Sequence, residues 1–119
     1  MSLCLFGAGK SAALAVSAFT LAWTHSVEKV EWQEDWRVTP AGLVLDAARV
    51  KGTGAGMEPP PEAKLEAGWW RWRPGGAPRS VMVLRRSGTT ADWRLCAGEQ
   101  CRPLGDILAA DPIALSPCD

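Results

Sequence analysis

The stretch T-H-S-V-E-K-V-E-W-Q-E-D-W-R-V, Thr24 to Val38, decides how this chain is read, because two phases of strand alternation meet in it. Successive side chains of a strand point to opposite faces. From Phe19 the odd positions Phe19, Leu21 and Trp23 are apolar, so His25 is next on the inward face of that strand. From Val30 the even positions Val30, Trp32, Trp36 and Val38 are apolar, and Glu34 is the one polar member of that face. Lys29, Glu31, Gln33, Asp35 and Arg37 make the opposite, solvated face. Pairing the two strands through a short connection near Val27 to Lys29 turns the chain's single histidine and an inward glutamate toward one interior.

Before this stretch, Leu3 to Phe6, the turn Gly7-Ala8-Gly9-Lys10 and the alternate Leu14 and Val16 read as a hairpin. Ala18 to Thr24 is a strand whose alternation has shifted by one residue, which places a turn or bulge near Ser17. After it, the central strand ends at about Thr39, Pro40-Ala41-Gly42 is a turn, and Leu43 to Val50 is a strand. Leu43, Leu45 and Ala47 fall on one face of that strand and Asp46 on the other. Trp69 to Arg73 is a short strand, and Val81 to Leu84 is a continuous apolar run of the kind a buried strand gives. Trp93 to Cys96 and Cys101 to Pro103 form the arms of a small hairpin. Leu104 to Ala110 is the one helix candidate, stopped by Pro112, and the tail to Cys118 reads as irregular. Strands at intervals of about ten residues, with Gly and Pro between them and almost no helical periodicity, predict an all-β chain. The expectation is a single domain over residues 1–119, a small antiparallel β-sandwich or partly closed barrel with one short C-terminal helical turn.

Thirteen basic and thirteen acidic residues cancel among 119, and no long basic stripe is present, which argues against nucleic acid as a partner. Seven tryptophans stand beside no tyrosine. Each buries a large area and needs its indole N–H satisfied, so most are expected in or beside the core. Ala12 to Trp23 is apolar, but the residues before Lys10 are apolar where a signal peptide is positive, and the run is too short for a span of about 20 residues. The chain is therefore expected to be soluble, without a signal peptide or transmembrane segment, with a periplasmic or membrane-associated location as the alternative. Cys96 and Cys101 flank the turn A-G-E-Q, and Cys4 and Cys118 lie near the two chain ends, so two disulfides suit an exported protein and four thiols a cytoplasmic one. C-x4-C is wider than the usual zinc knuckle, and neither a metal nor a cofactor is assigned.

Chemistry is concentrated in few places. The glycines of K-G-T-G-A-G-M-E-P-P-P exclude a helix interior, and Pro59 to Pro61 must be extended. No helix follows to hold a phosphate, so the segment reads as a connecting loop, or as one whose amides from Gly54 to Met57 approach an anion or a small carboxylate. A hydrolase would use His25 as general base, oriented by Glu34, with Ser26 nearby. Adjacent residues of a strand point to opposite faces, however, and that separates Ser26 from His25. A sugar-binding sandwich would use Trp69 or Trp72 as a stacking platform.

The segments T-H-S-V-E-K, Glu34-Asp35-Trp36 and G-T-G-A-G-M-E-P-P resemble those of a bacterial family of domains of unknown function. Its genes commonly sit beside the fused membrane subunit of TRAP transporters of the TAXI subclass. The resemblance covers nearly the whole chain. It implies an accessory, non-catalytic role in uptake dependent on a substrate-binding protein, of organic acids among other solutes, with the transporter membrane subunit as partner. The motif positions it carries over are His25, Ser26 and Glu28, then Glu34, then Gly54 and Gly56. With Met57 beside them, these are the candidate binding residues.

Overall fold

In a computed structural model, residues 1–24, 30–52, 59–86 and 91–119 are described. They form strands β1 (Ser2–Gly7), β2 (Lys10–Leu14), β3 (Ala18–Thr24), β4 (Glu31–Thr39), β5 (Gly42–Lys51), β6 (Lys64–Glu66), β7 (Trp69–Trp72), β8 (Met82–Leu84), β9 (Arg94–Ala97) and β10 (Gln100–Pro103). A helical turn α1 (Leu104–Ile107) and the last strand β11 (Ile113–Cys118) complete the described elements. The strands make two antiparallel sheets. One has four strands in the order β2-β1-β11-β8, the other seven in the order β10-β9-β3-β4-β5-β7-β6. They stay separate sheets packed face to face, so the architecture is a sandwich and not a closed barrel.

Alternation decides what lies between them. The small sheet buries Leu3, Leu5, Met82, Leu84, Ile113 and Leu115. Against them the large sheet sets Phe19, Leu21, Trp36, Val38, Leu43 and Leu95. Leu104 and Leu108, at the two ends of the helical turn, close the same core. Full burial of each such leucine or isoleucine stabilises the fold by about 1.5–3 kcal/mol.

Three local features differ from the sequence reading, each for a physical reason, and the break expected near Ser17 separates β2 from β3. Ala47 does not share a face with Leu43 and Leu45. A bulge lies where Trp36 faces Leu45 while Asp35 faces Ala47, so Asp46 is the extra residue. The bulge turns Ala47 outward and brings Ala48 and Val50 into the interior. The phase shift near Ser17 is the place where the chain leaves the small sheet for the large one, held by Val38 N–H donating to Ser17 C=O at 2.8 Å. The run Val81 to Leu84 is buried on one side only: Met82 and Leu84 face the core, while Val81 and Val83 are on the outer face of the small sheet. The tail is not irregular. Residues 113–118 form a strand paired with β1 on one side and β8 on the other. β8 reaches only residues 113–115, so Pro117 stands where that flank is open and its missing N–H need not break the ladder.

The crossing from the large sheet back to the small one is pinned at Leu43 and Arg79. The Leu43 N–H donates to Arg79 C=O at 2.7 Å, and the Arg79 N–H to Leu43 C=O at 2.9 Å. Gly42 allows this close approach, with φ of 135° and a Cβ position that would lie 2.6 Å from the Arg79 carbonyl oxygen.

Cys4 is bonded to Cys118, and Cys96 to Cys101. The first bridge crosses diagonally between β1 and β11, and the second joins directly opposed residues of β9 and β10. Their sequence separations are 114 and 5, so they constrain the unfolded chain very differently. Replacing Cys4 and Cys118 by Ser should cost about 5 kcal/mol in urea unfolding, against about 2 kcal/mol for the Cys96 and Cys101 pair. Equal costs, or the reverse order, would contradict the loop-entropy account.

Candidate functional site

Strand register decides which connections leave the sandwich together. Trp23 faces Trp32, Trp32 faces Val50, and Val50 faces Trp70. Thr24, Val30 and Gly52 therefore lie at one end of the large sheet. Ala22 faces Arg94, so Asp92 and Trp93 run toward the same end, where Arg86 meets Asp92. Thr24, Val30 and Gly52, together with Arg86, Ala91 and Asp92, are thus brought to one end from distant parts of the chain.

A wall of tryptophans stands at this end because the inward phases of β3, β4 and β7 meet there. Trp23 stacks on Trp32 with centroids 6.1 Å apart and planes 9° from parallel. Trp93 tilts onto Trp23 at 4.9 Å, and Trp72 meets Trp32 edge-on at 6.0 Å. Such pairs contribute about 0.5–1.5 kcal/mol each beyond the area they bury. Trp93 Nε1 donates to the Arg85 carbonyl at 2.9 Å. Trp32 Nε1 is buried and finds no acceptor among the described residues.

Glu34 shares the inward face of β4 with Trp32 and Trp36. Its Oε1 accepts the Trp36 Nε1–H at 3.2 Å. Burial raises the Glu34 pKa; the Trp36 bond and the charge of Arg79 pull the other way without cancelling it. Arg79 itself lies 5.7 Å from the centre of the Trp36 ring.

Arg86 and Asp92 form the charged corner of the site. Arg86 Nε and Nη2 donate to the two Asp92 oxygens at 3.0 Å each, and Nη1 donates to the Ala110 carbonyl at 2.9 Å. Asp92 also accepts the Gly105 N–H at 2.8 Å. A Cβ on Gly105 would meet Arg86 Nη2, so a larger residue there would push the guanidinium out of its present fork. Burial opposes the charge on Asp92, but the Arg86 bonds and the Gly105 amide outweigh it and hold the carboxyl below its ordinary range. A cleft of about 150 Å³ lies among Trp23, Thr24, Arg85, Arg86, Asp92 and Trp93. On the outer side of β5 and β7 a shallower groove of about 610 Å³ is lined by Glu62, Lys64, Glu66 and Arg71.

Of the expected binding residues, Glu34 is described, and its observed partner is Trp36. His25, Ser26, Glu28, Gly54, Gly56 and Met57 lie outside the described residues. The expected stacking platforms are occupied by other groups. Trp72 packs on Trp32, while Trp69 lies on the outer face under Lys51 at 5.4 Å and Arg49 at 5.9 Å. Arg86, Asp92 and Trp93 join the site only through tertiary pairing, and no spacing in the sequence signals it. Among the described residues no group of three or more His, Cys, Asp or Glu side chains is placed to hold a metal, and no helix is long and apolar enough to cross a membrane.

A family model described as a domain of unknown function, DUF1850, matches residues 19–104. The chain belongs to that family. No curated protein and no solved structure matches it.

The two inner carboxyls respond to pH in opposite senses. Glu34 has a raised folded pKa, so folding loses stability as pH climbs from its ordinary 4.5 through the folded value. Glu34→Gln should therefore melt higher than the wild type at pH 7, with the gap closing below pH 4.5. Asp92 has a lowered pKa, so its contribution is complete above its ordinary 3.8 and is lost as pH falls through the folded value. Asp92→Ala should cost about 1.5–3 kcal/mol at pH 7, the range for bonds to charged groups, and less in acid. Melting curves from pH 3 to 8 check both signs.

Proposed function

We propose that this DUF1850 chain is a non-catalytic accessory protein of solute uptake, which binds a small carboxylate at its tryptophan-walled end and associates with the membrane subunit of a TAXI-type TRAP transporter. One observation carries the binding part. The ends of β3, β4, β5 and β9 gather around the tryptophan wall, and the charged groups there are already bonded to one another. Arg86 is committed to Asp92 and Ala110, and Glu34 to Trp36, so the described groups are built to hold a shape. That favours recognition over proton transfer, which needs a base within reach of a reacting group. Walls of this kind, mostly aromatic with few polar groups, are typical of small-molecule sites. The transporter part rests on the resemblance of the H-S-V-E and G-A-G-M-E-P-P segments. Two disulfides support an oxidising compartment such as the periplasm.

The test is a thermal-shift screen against small carboxylates, amino acids and sugars, with Glu34→Ala and Trp23→Ala alongside. A ligand at about 100 times its Kd adds about 2.7 kcal/mol and raises Tm by several degrees. The expected result is a shift for a carboxylate that is lost in Trp23→Ala and reduced in Glu34→Ala. No shift for any compound would remove the ligand. Failure of the chain to co-purify with the transporter membrane subunit from a native membrane extract would remove the association.

A further inference from the structure

The two disulfides differ in what surrounds them. In the β9-β10 hairpin the two-residue turn Gly98-Glu99 leaves Ala97 and Gln100 as the pair nearest the loop, and Cys96 faces Cys101 next. Opposed residues of an antiparallel ladder alternate between pairs that exchange both main-chain bonds and pairs that exchange none. The pair flanking a two-residue turn is a bonded one, so Cys96 and Cys101 form an unbonded pair, where side chains stand closest. Their own N–H and C=O groups therefore point away from the hairpin. Those of Cys96 turn toward β3, where Cys96 faces Thr20. Those of Cys101 turn to solvent, because β10 is the edge of the seven-stranded sheet. Cys101 and its neighbours Gln100, Arg102 and Pro103 are all exposed. Cys4 and Cys118, by contrast, are half-buried. Cys4 also stands in an interior strand, with Ala13 on one side and Ser116 on the other.

We infer that Cys96–Cys101 is a thiol–disulfide exchange site for a partner protein carrying a reactive dithiol, with Cys101 as the sulfur attacked and Cys4–Cys118 as a bond that stays closed. A thiolate opens a disulfide by approaching one sulfur in line with the other, so access decides which bond reacts. The line from Cys96 to Cys101 runs outward across the sheet edge, and the approach to Cys101 Sγ comes from the side where no strand follows. There the partner's main chain can pair with the N–H and C=O of Cys101, as an added strand does at a sheet edge. The chemistry balances with the dithiol alone. Its first thiolate bonds to Cys101 Sγ, the Cys96–Cys101 bond breaks with its electron pair going to Cys96, and Cys96 takes up a proton. The partner's second thiol loses its proton and attacks the partner's own sulfur in the mixed disulfide, and Cys101 leaves with the electron pair and is protonated. Two electrons have then passed to the cysteine pair, and the partner holds the disulfide. The fold tolerates the change. The bridge spans a sequence separation of 5, against 114 for Cys4–Cys118, so opening it releases little extra freedom to the unfolded chain. The bonded pairs Ala97 with Gln100 and Leu95 with Arg102, and the Leu104 N–H donating to Trp93 C=O at 2.9 Å, hold the hairpin without it. The inference depends neither on the proposed ligand nor on the transporter.

The probe is a thioredoxin whose second active-site cysteine is replaced by serine, so that a mixed disulfide cannot be resolved. Incubated with the full chain, it should form a covalent one-to-one complex, and peptide mapping should place the bond at Cys101. The double variant Cys4→Ser, Cys118→Ser should still be captured, and the double variant Cys96→Ser, Cys101→Ser should not. Mapping on the wild type decides the question even where a variant does not fold. During reduction by dithiothreitol, timed alkylation should label Cys96 and Cys101 at least about tenfold faster than Cys4 and Cys118. Protein reduced at that pair alone should keep a cooperative melt, with Tm lowered by less than about 10 °C. Capture at Cys4, Cys118 or Cys96, no capture at all, or equal rates for the two bridges overturns the inference. So does loss of the cooperative melt once Cys96–Cys101 is open.

Discussion

The register of β4 between β3 and β5 is the constraint on which the rest of the structure depends. The even residues Trp32, Glu34, Trp36 and Val38 must all face the small sheet, because a slip of one residue would exchange them for Glu31, Gln33, Asp35 and Arg37. The partner β5 could not match that phase along its whole length. Its apolar residues are odd at Leu43 and Leu45 and even at Ala48 and Val50. One extra residue, Asp46, reconciles them, and its carboxylate is used on the outside by Arg37 at 2.7 Å. The bulge thus keeps both halves of β5 in the interior and adds local twist to the longest pair in the fold.

Polar groups on the two sides of β4 are satisfied in different ways. On the outside, Asp35 accepts Thr20 Oγ1–H at 2.7 Å and Arg49 Nη1–H at 2.7 Å, while Arg49 Nε donates to Gln33, so one cluster ties β3, β4 and β5 together. Burial opposes the charge on Asp35, yet these bonds prevail and hold its pKa below the ordinary range. On the inside, Glu34 has one indole N–H and a distant arginine, and there burial prevails. Neighbouring carboxylates are therefore driven apart by the face each occupies. The inward one sits beside the tryptophan wall, on the same face of β4 as Trp32 and Trp36.

The sandwich divides its surface by sheet. The large sheet extends beyond the small one and uses the surplus for the tryptophan wall and its ionic outer face. The small sheet, tied across β1 and β11 by Cys4 and Cys118, buries one face in the core and leaves the other, which mixes Phe6 and Val83 with Ser11 and Ser116, open. An antiparallel sheet can keep one face in the core and the other in water.

The sequence alone determined the strands whose signal is local. The alternation of Phe19, Leu21 and Trp23, the even phase of residues 30–38, the hairpin around A-G-E-Q and the short turn at Leu104 are all written in neighbours two or four residues apart. Alternation also placed Glu34 on the inward face. Only the tertiary structure decided what those strands meet. β11 contains Pro117, follows directly on Pro112, and makes sense only beside β1, more than a hundred residues away. The bulge at Asp46 exists because β5 must match β4. Trp93, Arg86 and Asp92 reach the candidate site because β9 lies beside β3. Side-chain periodicity is set by bonds within a strand, whereas register, bulges and the company a residue keeps are set by pairing across it, and no stretch of sequence contains its own partner.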